Sequence, residues 1–263
     1  MLLSDIDGTL RPFSSPVIPD ENVRAIHAIQ SIGVKFAIST GRSRSTIPAG
    51  MLNGILPDFW ICAGGAQILA GDGSEISVSR MPPEKMDAIT EFCAARNCPL
   101  RFVFSDGIYI YSGYEEYQEW AVLQGFKYQM ADGTDRKHHL TEMPFAASAL
   151  LPDPMIEDFC RIYPGAGLRF PSIYRHHRDI LWGEQSKASG LETLLKICGF
   201  SMEECVSVGD GENDVEILAE TGMSYCVEHG SPQAMAAAHK ICPSAEEFGV
   251  AAVCRELWPE AFG

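Results

Sequence analysis

The hydrophobic pattern of this chain changes period twice, and the changes divide it into three stretches. In the first, short apolar runs alternate with helical stripes. Leu2-Leu3 opens a buried strand that stops at a polar loop, residues 5–9. Residues 20–32 carry Val23, Ile26, Ile29 and Ile32 at helical spacing, with Asp20 expected as the N-cap and Gly33 as the stop. Residues 34–38 form a second strand, ending at Ser39-Thr40-Gly41-Arg42. A helix is expected at 43–52, a third strand at 58–62, and a β-hairpin from 67–70 and 75–79. Strand, helix, strand predicts a right-handed parallel crossover, so the first two strands should end at one sheet edge.

From 81 to 184 the pattern is mixed. Helices are expected at 84–96, 114–124 and 155–163. Strands are expected at 100–105, 108–111, 145–151, 167–170, 172–174 and 179–182, with Asp106-Gly107 as the hairpin turn. The parallel pattern then resumes. Residues 187–198 read as a helix closed by Gly199, 205–208 as a strand running into Gly209-Asp210-Gly211-Glu212-Asn213-Asp214, and 215–221 as a helix. Residues 223–227 read as a strand, and 231–238 and 245–257 as the final helices. The fold class is α/β. A doubly wound, Rossmann-like parallel-sheet core (1–80 and 185–263) is interrupted by a smaller α+β domain (81–184).

Composition narrows the partners. The chain has 263 residues, 46% hydrophobic and 21% charged, within the ordinary range for globular proteins. No apolar run is long enough to span a bilayer, and with so few residues before Asp5 no signal peptide is expected. No membrane partner is expected. Nine cysteines without a C-x-x-C pair read as reduced thiols, and a cytoplasmic location is expected. The formal net charge of −15 leaves no cationic excess to neutralise nucleic acid, so none is expected as a partner. Any anionic substrate must be held by local cations. The oligomeric state is not legible.

Polar clusters stand at the expected strand ends: Asp5 and Asp7, Thr40, and Asp210, Asn213 and Asp214, with Lys187 entering a helix. Two carboxylates as close as Asp5 and Asp7 call for a cation, and oxygen ligands on a loop suit Mg²⁺. If the clusters converge, several carboxylates, one ammonium and neutral donors would suit Mg²⁺ beside a phosphoryl group. Each residue also has a plainer reading. Thr40 fits a helix N-cap, Lys187 a solvated first-turn lysine, Asp214 a cap for the helix at 215, and Glu212 a solvated loop residue.

Taken in order, the four clusters resemble the haloacid dehalogenase superfamily of phosphatases. Asp5-Ile6-Asp7-Gly8-Thr9-Leu10 matches its first motif, Ser39-Thr40-Gly41-Arg42 its second, Lys187 its third and Gly209 to Asp214 its fourth. The insert between the second and third motifs resembles the type IIB cap of Cof-like sugar-phosphate phosphatases. The resemblance implies Asp5 as nucleophile and Asp7 as general acid and base. It implies Mg²⁺ held by Asp5, the Asp7 carbonyl and Asp210, with Asp214 as ligand or support. Thr40, Gly41, Lys187 and Asn213 would hold the phosphoryl group. The substrate would be a small phosphorylated metabolite, foremost a sugar phosphate, under a cap that closes and excludes water. A phosphomutase and a non-catalytic binding module on the same fold are the alternatives. A phosphonate hydrolase is a third, and it would want a Schiff-base lysine from a differently placed cap.

The sequence departs from the family pattern at Gly64, where an Asn is usual. The densest cationic stretch of the insert holds Arg169, Arg175, His176, His177 and Arg178. Arg169, Arg175 and Arg178 are candidates to meet a substrate anion, with a solvated strand rim as the alternative.

Overall fold

The computed structural model describes residues 1–48, 50–123, 129–174 and 176–263. The chain begins with β1 (Leu2–Ser4), α1 (Asp20–Ser31), β2 (Phe36–Ser39), β3 (Phe59–Cys62) and the hairpin of β4 (Gln67–Ala70) and β5 (Glu75–Val78). Next come α2 (Pro83–Ala95), β6 (Leu100–Phe104), β7 (Gly107–Ser112), α3 (Tyr114–Leu123), β8 (Ala131–Asp132), β9 (Ala146–Leu150) and α4 (Asp153–Ile162). The short strands β10 (Leu168–Arg169), β11 (Ser172–Tyr174), β12 (His177–Asp179) and β13 (Leu181–Trp182) complete that stretch. The chain ends with α5 (Lys187–Cys198), β14 (Val206–Gly209), α6 (Val215–Glu220), β15 (Met223–Val227), α7 (Pro232–Ala237), β16 (Lys240–Cys242) and α8 (Gly249–Leu257).

Two compact units result. One is Met1–Val78 with Ser186–Gly263, the other Ser79–Gln185. The first holds an eight-stranded sheet in the order β16-β15-β14-β1-β2-β3-β4-β5. Its first six strands run parallel, and β4 and β5 turn back antiparallel at one edge. Successive side chains of a strand point to opposite faces. Leu2, Ile38 and Trp60 accordingly pack with Ile26 and Ile29 of α1 and Val250 and Val253 of α8. Leu3, Ala37 and Ile61 pack on the other side with Leu191 and Leu194 of α5 and Ile217 of α6. Burial on both faces is why these strands read as continuous apolar runs.

The second unit has a six-stranded sheet in the order β11-β12-β9-β6-β7-β8, antiparallel except between β7 and β8. Leu100, Phe102 and Phe104 pack from one face against Met86, Ile89 and Phe92 of α2 and Phe159 of α4. On the other face, Tyr117 and Ala121 of α3 cover Ile110.

Several elements differ from expectation. The helix expected at 43–52 is reduced to a single 3₁₀ turn, Arg44–Thr46. Pro48 explains this: it lacks an N–H and pushes the residue before it out of the helical region, and Ile47 is extended at φ −92°, ψ 109°. Asp20 does not cap α1. Pro19 occupies that place, and the Asp20 carboxylate accepts from Asn53 Nδ2 at 2.7 Å. Residues 245–257 break at Phe248, which has a φ of 61°, so α8 starts only at Gly249. Strands β8 and β16 are short and largely exposed, so the apolar pattern carries no signal for them. The strand expected at 179–182 is split, with β12 pairing to β9 and β13 to β10. Residue 124, expected to end α3, lies outside the described residues. No described helix is long and apolar enough to cross a membrane.

Candidate active site

Parallel neighbours β14, β1 and β2 bring three polar loops to one sheet edge. Asp5 follows β1 directly, and its N–H donates to the Val208 carbonyl of β14 at 3.0 Å. The loop then folds on itself. Arg11 N–H donates to the Ile6 carbonyl at 2.8 Å and Gly8 N–H to the Arg11 carbonyl at 2.9 Å. Gly8 has a φ of +86°, and an added Cβ would lie 2.6 Å from Asp210 Oδ2, so only glycine serves here. Thr9 Oγ1 donates to Asp210 Oδ1 at 2.6 Å, joining the β1 loop to the β14 loop.

Lys187 arrives from α5. Ser186 caps that helix, its side chain accepting from Ser189 N–H at 3.2 Å, while Ser189 Oγ accepts from Ser186 N–H at 3.0 Å. The helix approaches the sheet through glycines. A Cβ on Gly190 would sit 2.7 Å from Ile61 Cγ2 and 2.8 Å from Gly65 Cα, and a Cβ on Gly65 would sit 1.9 Å from the Ser186 carbonyl oxygen. Gly64 stands beside this contact at φ 61°, ψ 32°. That left-handed conformation is one Gly and Asn both adopt, so the departure from the usual Asn keeps the backbone and removes only the amide.

Placed this way, Lys187 is only 1% exposed. Its Nζ donates to Asp5 Oδ1 at 2.9 Å and to Asp214 Oδ1 at 2.7 Å. The other Asp214 oxygen accepts from the N–H groups of Asp210 at 3.1 Å and Gly211 at 3.0 Å. Asp214 therefore ties the ammonium to the β14 loop; it stands at the N-cap position of α6, but its side chain makes no cap hydrogen bond there. Asp5, Asp210 and Asp214 offer oxygens that all lie within 4.8 Å of one another.

Burial pushes the Asp5 carboxyl well up, and the nearby Asp214 and Asp210 add to the rise against the pull of Lys187. Burial also raises Asp210, to about 6, despite the Thr9 hydrogen bond. Lys187 goes the other way: Asp214 and Asp5 outweigh its own burial and hold it firmly protonated. Three carboxylates against one ammonium leave a formal deficit of two charges, which one divalent cation balances. Asp214 has both oxygens engaged, whereas Asp5 and Asp210 each keep one oxygen outside the hydrogen bonds described. Those oxygens fit a hard cation such as Mg²⁺.

Asp7 is in a different setting. Arg42 grips it through Nε and through Nη2 at 3.1 Å, and Arg11 donates to it from the other side. Burial raises its carboxyl, but the two guanidinium groups outweigh that and leave it below the ordinary range. In this conformation Asp7 is a carboxylate. Thr40 is buried and its Oγ1 accepts from Arg42 N–H at 3.2 Å, with Gly41 between them. Asn213 is exposed on the β14 loop, and Glu212 is also exposed there.

The residues Thr9, Arg11 and Arg42 carry no assigned role in the sequence reading. Arg42 lies inside the second motif, and Arg11 is four residues beyond Asp7, but no linear spacing shows that both reach one carboxylate. Of the cap arginines singled out, Arg169 and Arg178 are engaged within their own unit. Arg169 Nη2 donates to the carbonyls of Gly183 at 3.1 Å and Gln185 at 2.7 Å, and Arg178 pairs with Asp153. Arg175 lies outside the described residues.

A parallel sheet of this order, with acidic loops and a buried lysine at its carboxyl edge and an α+β insert, defines a hydrolase class. The chain belongs to the haloacid dehalogenase-like hydrolases, whose family model matches residues 2–253. It is 24% identical over 247 residues to an HMP-PP phosphatase of Cronobacter sakazakii, across 88% of this chain and 85% of that protein. It is 22% identical to a putative phosphatase of Haemophilus influenzae, across 94% and 90% of the two chains. Among solved structures, a haloalkanoate-superfamily phosphatase from Bacteroides thetaiotaomicron superposes with a TM-score of 0.86 at 18% identity, covering 97% of this chain and 93% of that one. A subclass IIB sugar phosphatase gives 0.83 at 22% identity, with 97% of both chains covered. At these identities the structural likeness speaks for the fold.

Proposed function

We propose that this chain is a Mg²⁺-dependent phosphatase of small phosphorylated metabolites, sugar phosphates foremost, that carries the phosphoryl group on Asp5. The observation that supports this most directly is the buried Lys187 ammonium between Asp5 and Asp214, with Asp210 alongside. The phosphatase names of its relatives point the same way.

Asp5, Asp210 and the Asp7 carbonyl would hold the cation, with Asp214 supporting through Lys187 and the loop amides. Mg²⁺ there supplies positive charge to the phosphoryl oxygens and keeps its carboxylates ionised. Lys187 and Thr40, with Gly41 and Asn213, hold the phosphoryl group and offset its charge. One Asp5 oxygen attacks phosphorus while the other remains available to the cation. A bond forms from Asp5 to phosphorus, the ester P–O bond breaks, and the leaving oxygen takes a proton from Asp7. Water then attacks the phosphoaspartate, Asp7 takes the water proton, and phosphate leaves with Asp5 restored. Asp7 as found, ionised between Arg42 and Arg11, is the base of the second step. To serve as the acid of the first step it must take up a proton and part from the guanidiniums.

Phosphate release from sugar phosphates, nucleotides and phosphorylated cofactors with Mg²⁺ tests the proposal. Asp5→Asn is expected to bring turnover to background while the melting temperature is kept. Unchanged turnover in that variant rejects Asp5 as nucleophile. Isomerised sugar phosphate in place of free phosphate would make the chain a mutase.

A further inference from the structure

Arg11 is tied to Asp7 twice, by backbone and by side chain, and all of these contacts lie within one unit. Its N–H donates to the Ile6 carbonyl and its carbonyl accepts from Gly8 N–H, the residues on either side of Asp7. The two backbones thus pair as a short parallel bridge. The Arg11 side chain is buried and donates through Nη2 to Asp7 Oδ1. Nη1 donates to the carbonyls of Pro12, at 3.2 Å, and Ser15, which anchors the group on the turn that follows. Nε is buried and meets no acceptor among the described residues.

Among the described residues Asp7 is the carboxylate that pairs with Arg11. A guanidinium buried this deeply needs its counter-charge, and turning Asp7 away leaves it without one. Its anchors are carbonyls of its own turn, so Arg11 cannot follow Asp7 without giving up those bonds. Arg42 also grips Asp7, but its side chain is 25% exposed against 10% for Arg11, so water screens it better if Asp7 departs. Arg11 is therefore the stronger restraint on where the Asp7 carboxylate rests.

The two half-reactions ask different things of Asp7. Protonating the leaving oxygen requires it to part from the guanidiniums, whereas accepting a proton from water requires the carboxylate. The contacts of Arg11 favour the second alone. We propose that Arg11 is a positioning residue for the hydrolytic half-reaction, setting the Asp7 carboxylate where it receives the proton of the attacking water. In that step a bond forms from the water oxygen to phosphorus, the P–O bond to Asp5 breaks, and the water proton passes to Asp7. This rests on the phosphatase reading and gives Arg11 a part in one of its two steps.

Rapid mixing of the full chain with p-nitrophenyl phosphate and Mg²⁺ separates the steps. The fast phase reports phosphorylation of Asp5, which needs little help from Asp7 because p-nitrophenolate is a good leaving group. The steady state reports hydrolysis. Arg11→Met is expected to keep the fast phase within about twofold and to lower the steady-state rate about tenfold or more, with phosphorylated protein accumulating. Arg11→Lys should fall between the two, because an ammonium keeps a donor for Asp7 but lacks the fork that also reaches both carbonyls. In an Asp7→Asn background, Arg11→Lys should change the steady-state rate by less than about twofold, since its effect passes through Asp7. Fast and steady-state rates that fall together, no change in either, or an equal effect of Arg11→Lys in both backgrounds would overturn the proposal. If Arg11→Met does not fold, Arg11→Lys in the two backgrounds decides alone. A parent that releases no phosphate from any ester removes the phosphatase reading and this role with it, whereas an active parent with indifferent variants removes only the role of Arg11.

Discussion

At the scale of single residues, the same side-chain type takes different charge states according to what surrounds it. Asp7 and Asp179 are both partly buried aspartates, yet donors from Arg42 and Arg11 bring one down and the lack of donors lets burial push the other up. Arg42→Gln should therefore raise the Asp7 carboxyl and move the acid limb of kcat to higher pH, because the base form needed for the water step then persists over a narrower range. A pH profile of kcat for both proteins checks this. Asp179 has a folded value of about 6 against an ordinary 3.8, so the fold favours its protonated form. That contribution is present at low pH and lost as pH rises through about 6. The stability gained by Asp179→Asn should grow between pH 5 and pH 8, by no more than about 1 kcal/mol given its partial exposure, in paired denaturation curves.

At the scale of elements, α5 does the most to build the site. Its N-terminal box fixes where the helix begins, and the Gly190 to Gly65 approach fixes how close it comes. Gly190→Ala must push Ile61 or the helix aside. We expect it to cost about 1–3 kcal/mol and to lower kcat/KM far more than Ser186→Ala, whose loss of a cap costs about 1 kcal/mol. Denaturant unfolding and phosphate-release kinetics on the two variants separate register from capping. The missing helix at 43–52 belongs here too. Its apolar positions permit a helix, but Pro48 removes a donor and holds Ile47 extended.

At the scale of the whole molecule, the candidate site carries uncompensated negative charge in a chain whose formal net charge is already −15. Divalent cation binding should therefore stabilise the fold. At a hundredfold excess over its Kd, Mg²⁺ is expected to raise Tm by about 5 °C or more, with EDTA reversing the shift and Asp210→Asn abolishing it. Differential scanning fluorimetry across a Mg²⁺ titration measures this. A Tm indifferent to Mg²⁺ would mean that the carboxylate cluster binds no such ion.

The sequence by itself determined the periodicities, and with them the succession of parallel units, the inserted α+β stretch and the polar loops that end the strands. These are local properties: apolar spacing, glycine stops and turn chemistry act over a few residues. The family resemblance was legible for the same reason, since each motif is a short run. What only the tertiary structure decided are the pairings between distant residues. Lys187 could not be told from a solvated lysine until α5 buried it between Asp5 and Asp214. Arg42 and Arg11 had no role until both reached Asp7. Arg169 and Arg178, from the densest cationic stretch, proved occupied by their own unit, while Arg101 and Asp179, 78 positions apart and unremarkable in the linear pattern, share one sheet face. Linear spacing sets which face a side chain takes on its own element, and strand order and register then set its neighbours.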